Sequence, residues 1–148
     1  MRQGLQAGLP GPARSRTGWT TDRWSLAVGR CIMVVEDEPL VRMLLADHLR
    51  EEQFEVAEAA DADEAVRLLM ELPAVAAVIS DVRMPGSMNG LELAERIAST
   101  WPLVKVILTS GYLATEDNRL PATATFVPKP YQAEQISALL RNRLADSR

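Results

Sequence analysis

The chain has 148 residues, 47% hydrophobic and 24% charged, with a formal net charge of −4, enough for one domain with a sizeable core and too few for two ordinary ones. No apolar run approaches a membrane span, and a single cysteine, Cys31, excludes an intramolecular disulfide and a Cys-based zinc site and fits a reducing cytosol. Residues 1–30 hold five Arg against one Asp, a net of +4 that leaves −8 on the remainder, so the acidic body offers no basic patch with which to bind nucleic acid.

Residues 1–29 read as a disordered extension, because Gly4, Gly8, Pro10, Gly11, Pro12 and Gly18 break every period. Trp19 and Trp24 stand out in it as large apolar residues. Arg2, Arg14 and Arg16 are followed by no apolar core of a leader peptide, so secretion is not expected. The ordered domain is expected over residues 30–146, with no second domain after it.

From Arg30 onward short apolar runs alternate with amphipathic ones. Residues 31–35 form a β-branched apolar run bounded by charges, the pattern of a strand buried on both faces. Pro39 suits the first turn of a helix through Leu40, Met43, Leu44 and Leu49 to Glu52. A second strand is read at 56–59. Asp61 and Glu64 have capping-box spacing ahead of an amphipathic run over 65–72. A third strand follows at 75–80, and Asn89 with Glu92 repeats the cap before a helix carrying Leu93, Ile97 and Ala98. A fourth strand at 104–109, a short weak helix at 113–120, a fifth strand at 123–127 and a last helix at 132–144 complete the pattern. Five strands alternating with five helices imply right-handed crossovers and a five-stranded parallel sheet covered on both faces. The expected fold is an open, doubly wound α/β sheet with its site at the carboxyl ends of the central strands.

The polar residues at those strand ends carry the chemistry. Strand one ends in Glu36-Asp37-Glu38, strand three in Asp81, strand four in Thr109-Ser110-Gly111, and Lys129-Pro130 follows strand five. Glu36-Asp37-Glu38 alone reads as a solvated acidic surface. Brought beside Asp81 and Lys129, it becomes a carboxylate cluster that resists full ionisation unless a cation joins it. Oxygen-only donors favour magnesium, and neither Cys31 nor His48 belongs to the cluster, which disfavours zinc. Glu36, Asp37 and Asp81 would then be balanced by magnesium and Lys129, leaving Asp81 the best-placed nucleophile for phosphoryl transfer.

The runs Val34-Val35-Glu36-Asp37-Glu38-Pro39, Ser80-Asp81-Val82-Arg83-Met84-Pro85-Gly86, Leu108-Thr109-Ser110-Gly111 and Phe126-Val127-Pro128-Lys129-Pro130 resemble the receiver domains of two-component response regulators. The resemblance covers residues 30–145 and implies a flavodoxin-like fold with strand order 2-1-3-4-5. It further implies Asp81 as phospho-acceptor and Glu36, Asp37, Asp81 and the backbone carbonyl of Arg83 as magnesium ligands. Ser110 and Phe126 correspond to the switch pair and Lys129 to the family's lysine. On this reading the chain is a stand-alone, cytoplasmic, non-enzymatic response regulator. It would take its phosphoryl group from a sensor histidine kinase or a histidine phosphotransfer protein. It would signal to a downstream protein, or to a second copy, through the face of the fourth helix, fifth strand and fifth helix. Three departures qualify the match: the 86–90 loop is one residue longer than usual, Arg83 and Tyr112 are bulky where water would approach the phosphate, and no output domain follows. Two alternatives stand beside it. One is a phosphate sink or carrier in a relay. The other is a magnesium-dependent phosphatase of haloacid-dehalogenase type, which wants a second Asp where this chain has Arg83.

Overall fold

A computed structural model describes residues 31–72, 74–111 and 120–145. In chain order these form β1 (Cys31–Val35), α1 (Pro39–Glu51), β2 (Glu55–Ala59), α2 (Ala62–Glu71), β3 (Val75–Asp81), α3 (Gly90–Thr100), β4 (Lys105–Ser110), β5 (Ala124–Pro128) and α4 (Ala133–Ala145). The expectations for residues 1–29, for a helix at 113–120 and for Tyr112 lie outside the described residues. All four strand pairings are parallel, in the order β2-β1-β3-β4-β5, as the sequence predicts.

Side-chain alternation along β1 shows why this strand lacks a polar face. Cys31, Met33 and Val35 enter one apolar cluster with Leu68 and Leu69 of α2 and Leu93 and Ile97 of α3. Ile32 and Val34 enter a second cluster with Leu45 and Leu49 of α1 and Ile136 and Leu140 of α4. A central parallel strand has helices on both sides, so every position must be apolar. Full burial of each such aliphatic side chain contributes about 1.5–3 kcal/mol.

The helix starts follow the sequence signals. Pro39 occupies the first turn of α1. Asp61 accepts the Glu64 N–H at 2.8 Å, while the Glu64 carboxylate accepts the Ala60 N–H at 2.8 Å. Asn89 and Glu92 make a complete capping box, satisfying two of the N–H groups that a helix start leaves orphaned.

Some details differ from the sequence reading. β3 runs through Asp81, which pairs with Thr109, and β4 spans Lys105–Ser110 because Lys105 pairs with Ala77 whereas the Val104 N–H turns back to the Trp101 carbonyl. Pairing across the sheet, which no local pattern encodes, thus moves both strand ends one residue toward the site. Arg141 of α4 binds the Glu52 carboxylate at 2.6 Å and lies over the Phe54 ring at 5.4 Å, contacts that no local pattern announces. It ties α4 to the turn after α1.

Candidate functional site: an acidic pocket at the carboxyl ends of the strands

Because the strands are parallel, their carboxyl ends share one edge, and β1, β3, β4 and β5 deliver Glu36, Asp81, Ser110 and Lys129 there. Glu36 follows β1 directly and is buried, Asp37 is exposed, and Asp81 is half-buried as the last residue of β3. One carboxylate oxygen from each of the three lies within 4.8 Å of the others. Lys129, just past β5, reaches in to donate to Asp81 Oδ2 at 2.9 Å. Its own N–H donates to the Ser110 carbonyl at 2.8 Å, fixing where the chain leaves the sheet.

The electrostatics follow from this placement. Burial pushes the Glu36 carboxyl above its ordinary range; the Glu38 N–H, 3.2 Å from Oε2, opposes the shift, and the Asp81 charge adds to it. Burial works against the Lys129 charge, but its hydrogen bond and attraction to Asp81 prevail and raise its pKa. Three carboxylates against one ammonium leave two negative charges uncompensated when all are ionised. Oxygen-only donors with that deficit, open to solvent on the Asp37 side, suit a hard divalent cation that retains part of its water shell. The residues present therefore fit a metal ion.

Arg83 has an exposed side chain, and its backbone N–H approaches Asp81 Oδ1 at 3.3 Å. Beside it, Val82, Arg83, Met84, Pro85 and Asn89 line an open pocket of about 550 Å³. The 86–90 loop is anchored on α2, where the Ser87 hydroxyl donates to Asp63 Oδ1 at 2.7 Å, and Gly86 takes a positive φ of 109°. Ser110 is buried at the end of β4, and Leu108, two residues earlier and so on the same face, stands in register with Phe126 of β5. Phe126 is partly buried against the α2/α3-side cluster, so Ser110 and Phe126 share that face of the sheet.

Three contributors were not singled out from the sequence. Gly90 opens α3 directly beneath the site; a Cβ there would sit 2.1 Å from the Asp81 carbonyl oxygen. Its spacing nine residues after Asp81 gives no local signal. Arg42 donates to the Glu36 carbonyl at 2.7 Å and faces Glu58 at 3.4 Å, holding the acidic turn against β2. Tyr131 lines a narrow crevice with Glu36, Asp81 and Thr109. Burial raises its hydroxyl pKa, Lys129 opposes the rise, and Glu36 and Asp81 add to it. An aromatic two residues after the lysine was the available cue.

The order β2-β1-β3-β4-β5, with carboxylates and an ammonium gathered at one sheet edge, defines a flavodoxin-like α/β domain with an acidic pocket. The chain belongs to the response regulator receiver domain family, which matches residues 32–141. It is a receiver domain of the two-component type, a class that works with histidine kinases or phosphotransfer proteins. It is 34% identical over 114 residues to an NtrX-like response regulator of Rickettsia felis, covering 74% of this chain and 24% of that protein. Over 123 residues it is 47% identical to the transcriptional regulatory protein PdtaR of Mycobacterium tuberculosis, covering 81% and 58%. The chain thus spans a quarter to somewhat over half of these relatives' lengths. Among solved structures, the response regulator TrrA of Thermotoga maritima in complex with Mg²⁺ and BeF superposes with a TM-score of 0.69 at 30% identity, covering 77% of this chain and 98% of that one. No described helix is long and apolar enough to cross a membrane.

Proposed function

We propose that this domain is a phosphorylation-switched signalling module in which Asp81 accepts a phosphoryl group from a phosphohistidine of a sensor histidine kinase or phosphotransfer protein. The observation that carries this reading is Lys129 Nζ bonded at 2.9 Å to an Asp81 carboxylate that lies in one cluster with Glu36 and Asp37. A lone nucleophilic carboxylate has no need of such neighbours; a group-transfer site does. In the reaction an Asp81 oxygen forms the new O–P bond as the P–N bond to the donor imidazole breaks, and the imidazole leaves with its electron pair and takes up a proton. Lys129 neutralises charge on Asp81 and on the arriving oxygens.

Magnesium is the cofactor of this reading, and Glu36, Asp37, Asp81 and the Arg83 carbonyl would hold it. When bound, it supplies positive charge to the phosphoryl oxygens. The structure of the Thermotoga relative in complex with Mg²⁺ and BeF supports this choice. Ser110 is the hydroxyl that turns toward the new phosphoryl oxygens, and Phe126, on the same face, takes the space it leaves. That rearrangement remodels the surface around β5 and α4, where a downstream protein or a second copy docks. The domain acts in the cytoplasm, as a binding module rather than an enzyme.

The test is phosphoryl transfer from acetyl phosphate or a phosphorylated kinase with and without magnesium, read by intact mass. The wild type gains one phosphoryl group only with magnesium, Asp81→Asn gains none, and Lys129→Ala is slowed by about 10²-fold or more. A folded wild-type protein that binds magnesium yet is never labelled refutes the mechanism.

A further inference from the structure

The turn that carries the acidic residues, Glu36-Asp37-Glu38, is held at Glu36 from two sides. The Glu36 N–H donates to the Ala59 carbonyl of β2 at 3.0 Å. The Glu36 carbonyl accepts from the Arg42 guanidinium of α1 at 2.7 Å. Neither contact uses a carboxylate oxygen. Together they set the direction in which the turn leaves β1, and so where the Glu36 and Asp37 carboxylates stand relative to Asp81.

Arg42 is itself held in place. Its Nε lies 3.4 Å from Oε1 of Glu58 on β2, and the other oxygen of that carboxylate, Oε2, accepts from Arg50 at 3.1 Å. Arg50 also donates to the Val56 carbonyl at 3.3 Å and lies 3.5 Å from Asp47. The side chains of Arg42 and Glu58 are only 20% and 29% exposed, so the pair is less screened than one on the open surface. A planar guanidinium donates to two acceptors at a fixed angle. Glu58 thereby orients the guanidinium that orients the turn. An arginine placed only to neutralise the pocket would approach its carboxylates; Arg42 takes a backbone carbonyl and a glutamate of the neighbouring strand.

We infer that Arg42 is a positioning residue for the cation of the acidic pocket, and that Glu58, on the face between α1 and β2, acts on cation affinity through it. The inference rests on the reading of the pocket as a magnesium site. Charge and position predict opposite effects here. Removing a positive side chain near three carboxylates should raise affinity for a divalent ion. Releasing the turn that aims two of them should lower it, and loss of a group that orients metal-binding side chains typically costs about 10–100-fold.

Isothermal titration of the full chain with magnesium chloride, alongside thermal melts in EDTA, tests it. Arg42→Met is expected to bind magnesium more weakly than wild type by about tenfold or more. Arg42→Lys keeps the charge but loses the planar fork, and is expected to be weakened as well. Glu58→Ala is expected to weaken binding about threefold, and to have no further effect in an Arg42→Met background. The melts separate affinity from fold: a merely structural Arg42 lowers the melting temperature and leaves the affinity of the folded protein unchanged. Magnesium binding as tight as wild type or tighter in folded Arg42→Met overturns the proposal. So does an effect of Glu58→Ala that simply adds to that of Arg42→Met. Glu58→Ala alters a partly exposed side chain and decides the matter if Arg42→Met does not fold, since wild-type affinity there also overturns the proposal. A wild-type protein that binds no magnesium overturns the reading of the pocket itself, and this inference with it.

Discussion

Replacing Glu36 with Gln separates stability from metal binding at this site. Carboxylate oxygens of Glu36 and Asp81 lie within 4.8 Å of each other, and Glu36 is buried. At that separation and an effective dielectric of about 20, two like charges repel by about 3.5 kcal/mol. Lys129 returns part of this to Glu36, so the net gain from removing the charge is about 1–2 kcal/mol. Glutamine keeps an oxygen to accept the Glu38 N–H at Oε2 and leaves the Arg42 bond to the Glu36 carbonyl untouched. Thermal melts in EDTA should therefore show Glu36→Gln more stable than wild type, by roughly 4 °C per kcal/mol for a domain of this size. Melts in excess magnesium should show the reverse dependence. Wild type gains about 2.7 kcal/mol at a hundred times its dissociation constant, and the variant, having lost a ligand, gains far less. The pH dependence carries the same sign. Glu36 has a folded pKa above its unfolded value, so its contribution favours folding at low pH and is lost as pH rises through the folded value. The advantage of Glu36→Gln in EDTA should consequently grow from acid toward neutral pH and then level off. A metal-free Glu36→Gln protein that melts below wild type at neutral pH would refute the reasoning.

Gly90→Ala forces a methyl to within 2.1 Å of the Asp81 carbonyl oxygen and 2.8 Å of Val82 Cα. Both contacts are backbone, so the start of α3 must move; the expected loss is about 1–3 kcal/mol in a urea titration, with slower phosphoryl labelling of Asp81. Burial pushes the Cys31 thiol up to about 12 and Glu55 adds to the shift, so Ellman's reagent at pH 8 should react only at the rate of unfolding, and a fast stoichiometric reaction in the folded protein would contradict its placement in β1.

The positions of the strands and the described helices were legible because each is a local signal. Cys31–Val35 is apolar throughout, as a strand with helices on both faces has to be. Asn89 and Glu92 announce α3 by a spacing that only a helix start exploits. Strand ends were less legible, since Asp81 and Ser110 extend their strands only by pairing with neighbours distant in sequence. The acidic pocket was legible for a further reason: parallel strands place their carboxyl ends on one edge, so the topology alone assembles residues that follow β1, β3, β4 and β5.

By itself, the sequence determined the order of elements, the parallel sheet and the set of polar residues gathered at its carboxyl edge, because periodicity and capping act over a few residues. Only the tertiary structure decided what those residues do to one another. It bonded Lys129 to Asp81 rather than to Glu36, buried Glu36 so that its charge is costly, and placed Arg42 on the Glu36 carbonyl. It also brought Gly90 against the Asp81 peptide. These contacts join residues from six to 48 positions apart in the chain, and their distances are set by packing, which no local pattern records.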